Sequence, residues 1–217
     1  MPRPVDIVHA FGGGVASDFG HVVSNGTFSK LLGPGLRTGW TESTAQFARG
    51  LSRCGSLSSG GSPSQVTPAI IAEALTSGSL QAHLEDVLLP SYPDRAMSAV
   101  KAVNNYLVPH GAVLDAKESK FHSEQEDQKK QPAVQGGYFL YVYLPQEFAA
   151  SKFAGFVAHD QNVSVASGEN FEVSGEEKNL PVPHSLRICF AWEEDEDTIV
   201  EVIRRLGVAL ESMMAET

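Results

Sequence analysis

The sequence is short of cysteine, basic charge and long apolar runs, and each shortage removes a class of protein. Cys54 and Cys189 are the only cysteines in 217 residues. Two thiols make no disulfide framework; they are expected as small core side chains in a reducing compartment. No stretch approaches the roughly 18–20 apolar residues that a membrane span needs. The opening MPRPVDIVHAFGGG has one arginine and no apolar centre, so it does not read as a secretory signal, and the default expectation is a cytoplasmic protein. Lys and Arg number 16 against 26 Asp and Glu, a net charge of −10, which argues against nucleic acid or an anionic membrane as a broad electrostatic partner. Several chemical signatures are also missing: there is no GxxxxGKS/T phosphate loop, no GxGxxG, no GxSxG and no HExxH. The seven histidines show no metal-ligand spacing, so no metal site is expected.

What is present is a globular composition, 42% hydrophobic and 19% charged. The length allows one large domain or two small ones. In residues 1–66, rich in Gly and Ser, His21 to Ser24 reads as a short buried strand running into an Asn25-Gly26 turn. A second short strand is expected around Arg37 to Trp40, and Ser43 as the cap of a short helix carrying Phe47 and Leu51. Thr67 followed by Pro68 reads as a helix start, with the stop near Gly78. Leu80, Leu84, Val87 and Leu88 recur at helical spacing; Pro90 and Pro93 interrupt, and Ala96, Val100, Val103 and Leu107 resume. This is one long helix or two with a break near residue 90.

The remainder alternates. Strands are expected at Ala112 to Leu114, Tyr138 to Leu144, Val163 to Ala166 and Ser185 to Ala191. Phe148, Phe153, Phe156 and Val157 suggest a helix, and Ile199 to Met213 a terminal one with an acidic first turn, as the helix dipole favours. Residues 116–135 are charged and nearly free of apolar groups, as in a solvated loop.

One segment carries a chemical pattern: residues 24–40, SNGTFSKLLGPGLRTGW. Lys30 stands beside the hydroxyls of Thr27 and Ser29, and Arg37 follows seven residues later, after a Gly-Pro-Gly turn. Hydroxyls and a guanidinium suit a phosphate dianion, and Arg binds one in a bidentate, charge-assisted way. Cationic neighbours also make a lysine amine more nucleophilic. A nucleophilic lysine beside a phosphate cradle is what pyridoxal phosphate needs. Taken alone, the same residues also describe ordinary surface charges in a Gly-rich loop.

The segment resembles the lysine signature of the class I/II aminotransferases, the fold-type I family of pyridoxal-phosphate enzymes. Thr27, Phe28, Ser29, Lys30, Pro34, Gly35, Leu36, Arg37, Gly39 and Trp40 fit its pattern. GGSPSQVTPAIIAEAL, GGYFLYVYLP and SLRICFAW follow in the family's order. The resemblance implies an α/β remnant of the large-domain sheet in residues 1–92, then a complete α+β small domain in residues 93–217. It implies pyridoxal 5'-phosphate as cofactor, with Lys30 forming the Schiff base and moving the proton at the substrate Cα. Arg37 would bind the cofactor phosphate, with Thr27 and Ser29 assisting, and Arg187 the substrate α-carboxylate.

Arg187 also stands out by itself, because a charge inside the apolar run Leu186 to Ala191 needs a ligand anion or an ion-pair partner. Tyr92 and Arg95 resemble a Tyr-x-x-Arg pattern and are read as structural; Tyr138 and Phe139 are read as core and cleft-wall residues. The implied activity is amino-group transfer between an amino acid and a 2-oxo acid, with a homodimer expected if the large domain is complete. The family's aspartate at the pyridine nitrogen, and its Tyr and Asn at the ring oxygen, lie mostly far upstream of the lysine, and neither Asp6 nor Asp18 matches that context. The chain therefore resembles the carboxy-terminal part of such an enzyme. The alternatives are a lyase or decarboxylase on the same cofactor, or a catalytically inactive cofactor-binding or interaction module.

Overall fold

The computed structural model describes residues 19–56, 64–114, 137–172, 182–193 and 195–215. The expected loop at 116–135, and Asp6 and Asp18, lie outside them. The chain separates into two compact units, Met1–Leu89 and Pro90–Thr217.

The first unit is organised by an antiparallel hairpin of β1 (Ser24–Thr27) and β2 (Gly39–Glu42), in which Gly26 pairs with Trp40 and Thr27 with Gly39. Both strands lie further along the chain than the sequence suggests. Asn25-Gly26 is strand, not turn, because the Trp40 ring occupies the place of a side chain at 26: a Cβ there would meet it at 2.2 Å. Gly39 is equally confined, since a Cβ would lie 2.3 Å from the Gly26 carbonyl oxygen.

Helix α1 (Ala45–Leu51) is capped by Thr44, not Ser43: the Thr44 hydroxyl accepts from the Phe47 N–H at 3.3 Å and donates to the Phe19 carbonyl at 2.8 Å. Helix α2 (Val66–Thr76) starts just before Thr67. The Ser64 hydroxyl accepts from the Thr67 N–H at 3.2 Å, so the Thr-Pro pair lies in the first turn instead of preceding it. Gly78, at φ +77, ends this stretch in the left-handed region that glycine adopts without steric cost. Helix α3 (Ser79–His83) follows. Buried Phe28, Ile71 and Leu80 form this unit's core, with Leu31, Leu36, Ala74 and Leu84 packed around them.

Helical structure continues from Ser79 to Tyr106 as α3, a π-helical stretch (Leu84–Leu88) and α4 (Leu89–Tyr106), with Pro93 inside α4. The prolines do not break the helix. The wider π-helical turn just before them loosens the hydrogen-bond ladder where proline lacks an N–H.

The second unit is a four-stranded antiparallel sheet, in the order β3 (Val113–Leu114), β4 (Phe139–Tyr143), β6 (Ser185–Cys189), β5 (Ala166–Ser167). Strand β5 is shifted from the expected Val163 to Ala166, and β6 ends at Cys189. Period-two alternation sorts the side chains. Leu140, Val142, Leu186 and Ile188 are buried and join one core with α4, α5 (Ala150–Asp160) and α6 (Glu196–Ala215). Alternation puts Phe139, Tyr141, Arg187 and Cys189 on the other face. The Asp195 carboxylate accepts from the Thr198 hydroxyl and the Asp197 N–H, as a cap for α6 should.

Cys54 and Cys189 correct the expectation of core thiols: both are exposed. Cys54 follows the end of α1, and Cys189 falls on the sheet face away from the helical core.

Candidate functional site

The hairpin loop collects the residues that the sequence singled out in the first unit. Thr27 caps a short 3-10 turn (Phe28–Lys30): its hydroxyl accepts from the Ser29 N–H at 3.1 Å and donates to the Ser29 hydroxyl at 2.9 Å. Lys30 ends that turn, half-buried. A second 3-10 turn, Pro34–Leu36, leads into Arg37, whose backbone is left-handed at φ 49 and ψ 37. The Phe28 N–H donates to the Thr38 carbonyl at 3.0 Å and pinches the base of the loop. One closed loop thus holds Ser29, Lys30 and Arg37, with Thr27 at its edge. Phe28 roots it: its ring is buried and lies 4.8 Å from that of Trp40.

The donor set fits a phosphate ester. Two hydroxyls stand side by side, and Arg37 is exposed, with one long contact of 3.4 Å to the Pro34 carbonyl. Its remaining N–H donors suit an anionic oxygen pair. Lys30 supplies the amine that an aldehyde cofactor requires. These residues fit pyridoxal phosphate by the chemistry they offer.

In the second unit, β6 holds Arg187 between Tyr141 of β4 and Ala166 of β5 in the sheet register. Its guanidinium carbon lies 4.1 Å from the centroid of the Phe139 ring and 3.7 Å from that of Phe171. Among the described residues it forms no ion pair. The expected buried charge is half-exposed, because alternation turns it away from the core. A cavity of about 500 Å3 borders it, its wall part apolar (Phe139, Trp192) and part polar (Ser164, Asn162, Glu193, Arg205).

Tyr92 and Tyr138 meet edge to face at 5.5 Å, and Arg95 lies 5.6 Å from the Tyr92 ring. Burial, helped by Tyr138, pushes the Tyr92 phenol above its ordinary value, so it stays protonated at neutral pH. Phe171 went unnoticed in the sequence, where an aromatic at the end of a Ser-Gly-Glu-Asn run carries no signal. Among the described residues no cluster of His, Cys, Asp or Glu could hold a metal, and no helix is long and apolar enough to cross a membrane.

Taken together, the hairpin with its lysine loop and the four-stranded α+β unit belong to the fold of the class I/II pyridoxal-phosphate aminotransferases. The chain matches the alpha-aminoadipate aminotransferase of Thermus thermophilus, solved with N-(5'-phosphopyridoxyl)-L-leucine, at a TM-score of 0.75 and 22% identity, over 100% of this chain and 47% of that one.

In sequence it is 39% identical over 189 residues to an uncharacterised protein of Saccharomyces cerevisiae, covering 85% of this chain and 38% of the relative. It is 28% identical to an uncharacterised aminotransferase of Saccharolobus solfataricus, over 87% of this chain and 40% of that protein. No protein-family model matches. The chain spans about two fifths of the length of these curated relatives.

Proposed function

We propose that this chain binds pyridoxal 5'-phosphate through Lys30 and serves amino-group transfer between an amino acid and a 2-oxo acid. The observation that carries the reading is the closed loop between Thr27 and Thr38. It places a lysine, two hydroxyls in mutual contact and a guanidinium on one short stretch of backbone. The structural relative solved with a phosphopyridoxyl-amino acid supports the choice of cofactor.

Ser29 would donate its hydroxyl hydrogen to the cofactor phosphate, Thr27 would assist by donating to the Ser29 hydroxyl and so orienting it, and Arg37 would neutralise the phosphate charge. The Lys30 amine would hold the cofactor's aldehyde and would move the proton at the substrate Cα. Arg187 binds the substrate α-carboxylate. Bound pyridoxal phosphate supplies an electron sink for the carbanion character that proton removal creates.

Because the chain spans less than half of its relatives, cofactor attachment is assigned to this chain and turnover to the aminotransferase architecture as a whole. The reading includes a homodimer. It also includes a reducing, cytoplasmic location, in keeping with two exposed thiols that form no disulfide.

Borohydride reduction of the chain mixed with pyridoxal phosphate, followed by peptide mapping, tests the assignment. The phosphopyridoxyl mass is expected on Lys30 alone and is lost in Lys30→Ala. Label spread over several surface lysines, or retained at equal yield in the variant, overturns it. Cofactor fixed on Lys30 without turnover of any amino acid would mark the chain as a noncatalytic cofactor-binding module.

A further inference from the structure

Arg187 is flanked by two aromatic rings that come from opposite sides of its strand. Phe139 is on β4, where its register partner is Cys189, so it stands diagonal to Arg187 across the β4–β6 pair. Phe171 reaches the same guanidinium from the 3-10 turn Gly168–Phe171, which follows β5 on the other side of β6. Ala166, the residue paired with Arg187 on that side, is small and leaves room for it.

The turn that delivers Phe171 is itself fastened. The Ser167 hydroxyl accepts from the Glu169 N–H at 3.4 Å, and the Ser151 hydroxyl of α5 donates to the Glu169 carboxylate at 3.1 Å. Phe171 is nevertheless 40% exposed, so the ring is presented at the surface and contributes little to the core.

From this geometry we infer that Phe139 and Phe171 are positioning residues, which fix the plane of the Arg187 guanidinium so that its N–H edge meets a planar carboxylate. The inference rests on the proposed role of Arg187 as the carboxylate-binding residue. The physical basis is a cation–π pair of contacts at 4.1 and 3.7 Å. Such contacts hold a guanidinium by its faces and leave the in-plane donors for the anion. A long arginine side chain without them would spend rotamer entropy each time it bound. The clamp meets that cost in advance, during folding. The arrangement also sets apolar ring surface beside the charge. The ligand class is a carboxylate whose substituent lies against that ring surface.

The test uses the full chain and a carboxylate that cannot react, 3-phenylpropanoate, with binding measured by titration calorimetry. The Nε–Hε resonance of Arg187 is followed by nitrogen-15 NMR in the same samples. Arg187→Lys is expected to weaken binding strongly, because a point charge replaces the fork. Phe171→Leu is expected to weaken it roughly three- to tenfold, the scale of one partly exposed cation–π contact, and to broaden the Arg187 resonance in the free protein. Phe171→Tyr should restore both readouts.

Binding unaffected by Phe171→Leu but lost in Arg187→Lys overturns the positioning role alone. Binding unaffected by both removes Arg187 as the carboxylate site and the clamp with it. Equal weakening by Leu and Tyr at position 171 also overturns it, since the ring would then not be the active feature.

Discussion

Gly26 and Trp40 face one another across the β1–β2 hairpin, and the indole ring fills the volume in which a side chain at 26 would begin. The contact is with carbons of an indole whose ring centroid lies 4.8 Å from that of Phe28, so moving the indole disturbs that pair. Gly26→Ala should therefore displace Trp40, loosen the Phe28 core and destabilise the first unit by about 1–3 kcal/mol, the usual cost of overpacking. Tryptophan fluorescence during urea unfolding reads the change directly. An unchanged midpoint would mean that the ring swings away freely and that the glycine is not needed.

The hydroxyl of Thr27 has two partners on Ser29, the backbone N–H and the side-chain hydroxyl. Thr27→Val keeps the shape and deletes both. It should cost about 1 kcal/mol of local stability, as lost caps do, and weaken pyridoxal phosphate binding by roughly three- to tenfold, the scale of the one neutral hydrogen bond that orients the Ser29 hydroxyl. Thr27→Ser should behave like the natural chain. Absorbance titration with the cofactor separates the two, and equal affinity for Val and Ser variants would show that the hydroxyl plays no part in the cradle.

The lysine loop was legible in the sequence because its chemistry depends on residue type and spacing along a continuous stretch. Thr27, Ser29, Lys30 and Arg37 lie along one closed loop, within a stretch of 11 residues. Strand boundaries were less legible. Asn25-Gly26 carries the letters of a turn, and only the ring of Trp40, 14 residues on in the sequence, makes it strand. Cys189 is expected in the core as a free thiol, whereas the pleat turns it to the face away from the helices. The proline pair at 90 and 93 leaves one long helix or two open, and the structure has continuous helical residues through a π-helical turn. The Arg187 clamp was half visible: the arginine was conspicuous in its apolar strand, while Phe171 reaches it only through the fold.

Glu201, exposed on α6, gives the acid dependence a definite window. Hydrogen bonds from Arg204, first, and Arg205 hold its carboxyl at about 2, below the ordinary 4.5. A carboxylate with a depressed folded value favours the folded state above its unfolded value, and that contribution fades as pH falls through the folded one. Glu201→Gln should therefore melt slightly lower than the natural chain at pH 7, with the gap closing between about pH 4.5 and 2. Because the pair is solvent-exposed, salt should shrink the gap as well. A difference in melting temperature that stays constant down to pH 2 would show that the two arginines do not discriminate between the charge states.

Two helical glycines in the second unit should respond to alanine with opposite signs. Gly207, in the middle of α6, lies so close to the end of α4 that a Cβ would come within 2.4 Å of the Tyr106 carbonyl oxygen. That atom belongs to the backbone and cannot rotate away, so Gly207→Ala should push α6 off Tyr106 and open the core around Leu206 and Leu210, both fully buried. The expected loss is about 1–3 kcal/mol. Gly155, exposed on α5, has nothing within 4 Å of where its Cβ would stand. There alanine only removes the backbone freedom of the unfolded chain, and Gly155→Ala should add roughly 0.5–1 kcal/mol. Denaturant midpoints of the two variants, measured on the same preparation, check both the close approach of α6 to Tyr106 and the open face of α5. If Gly207→Ala melts like Gly155→Ala, the two helices do not meet as closely as 2.4 Å implies.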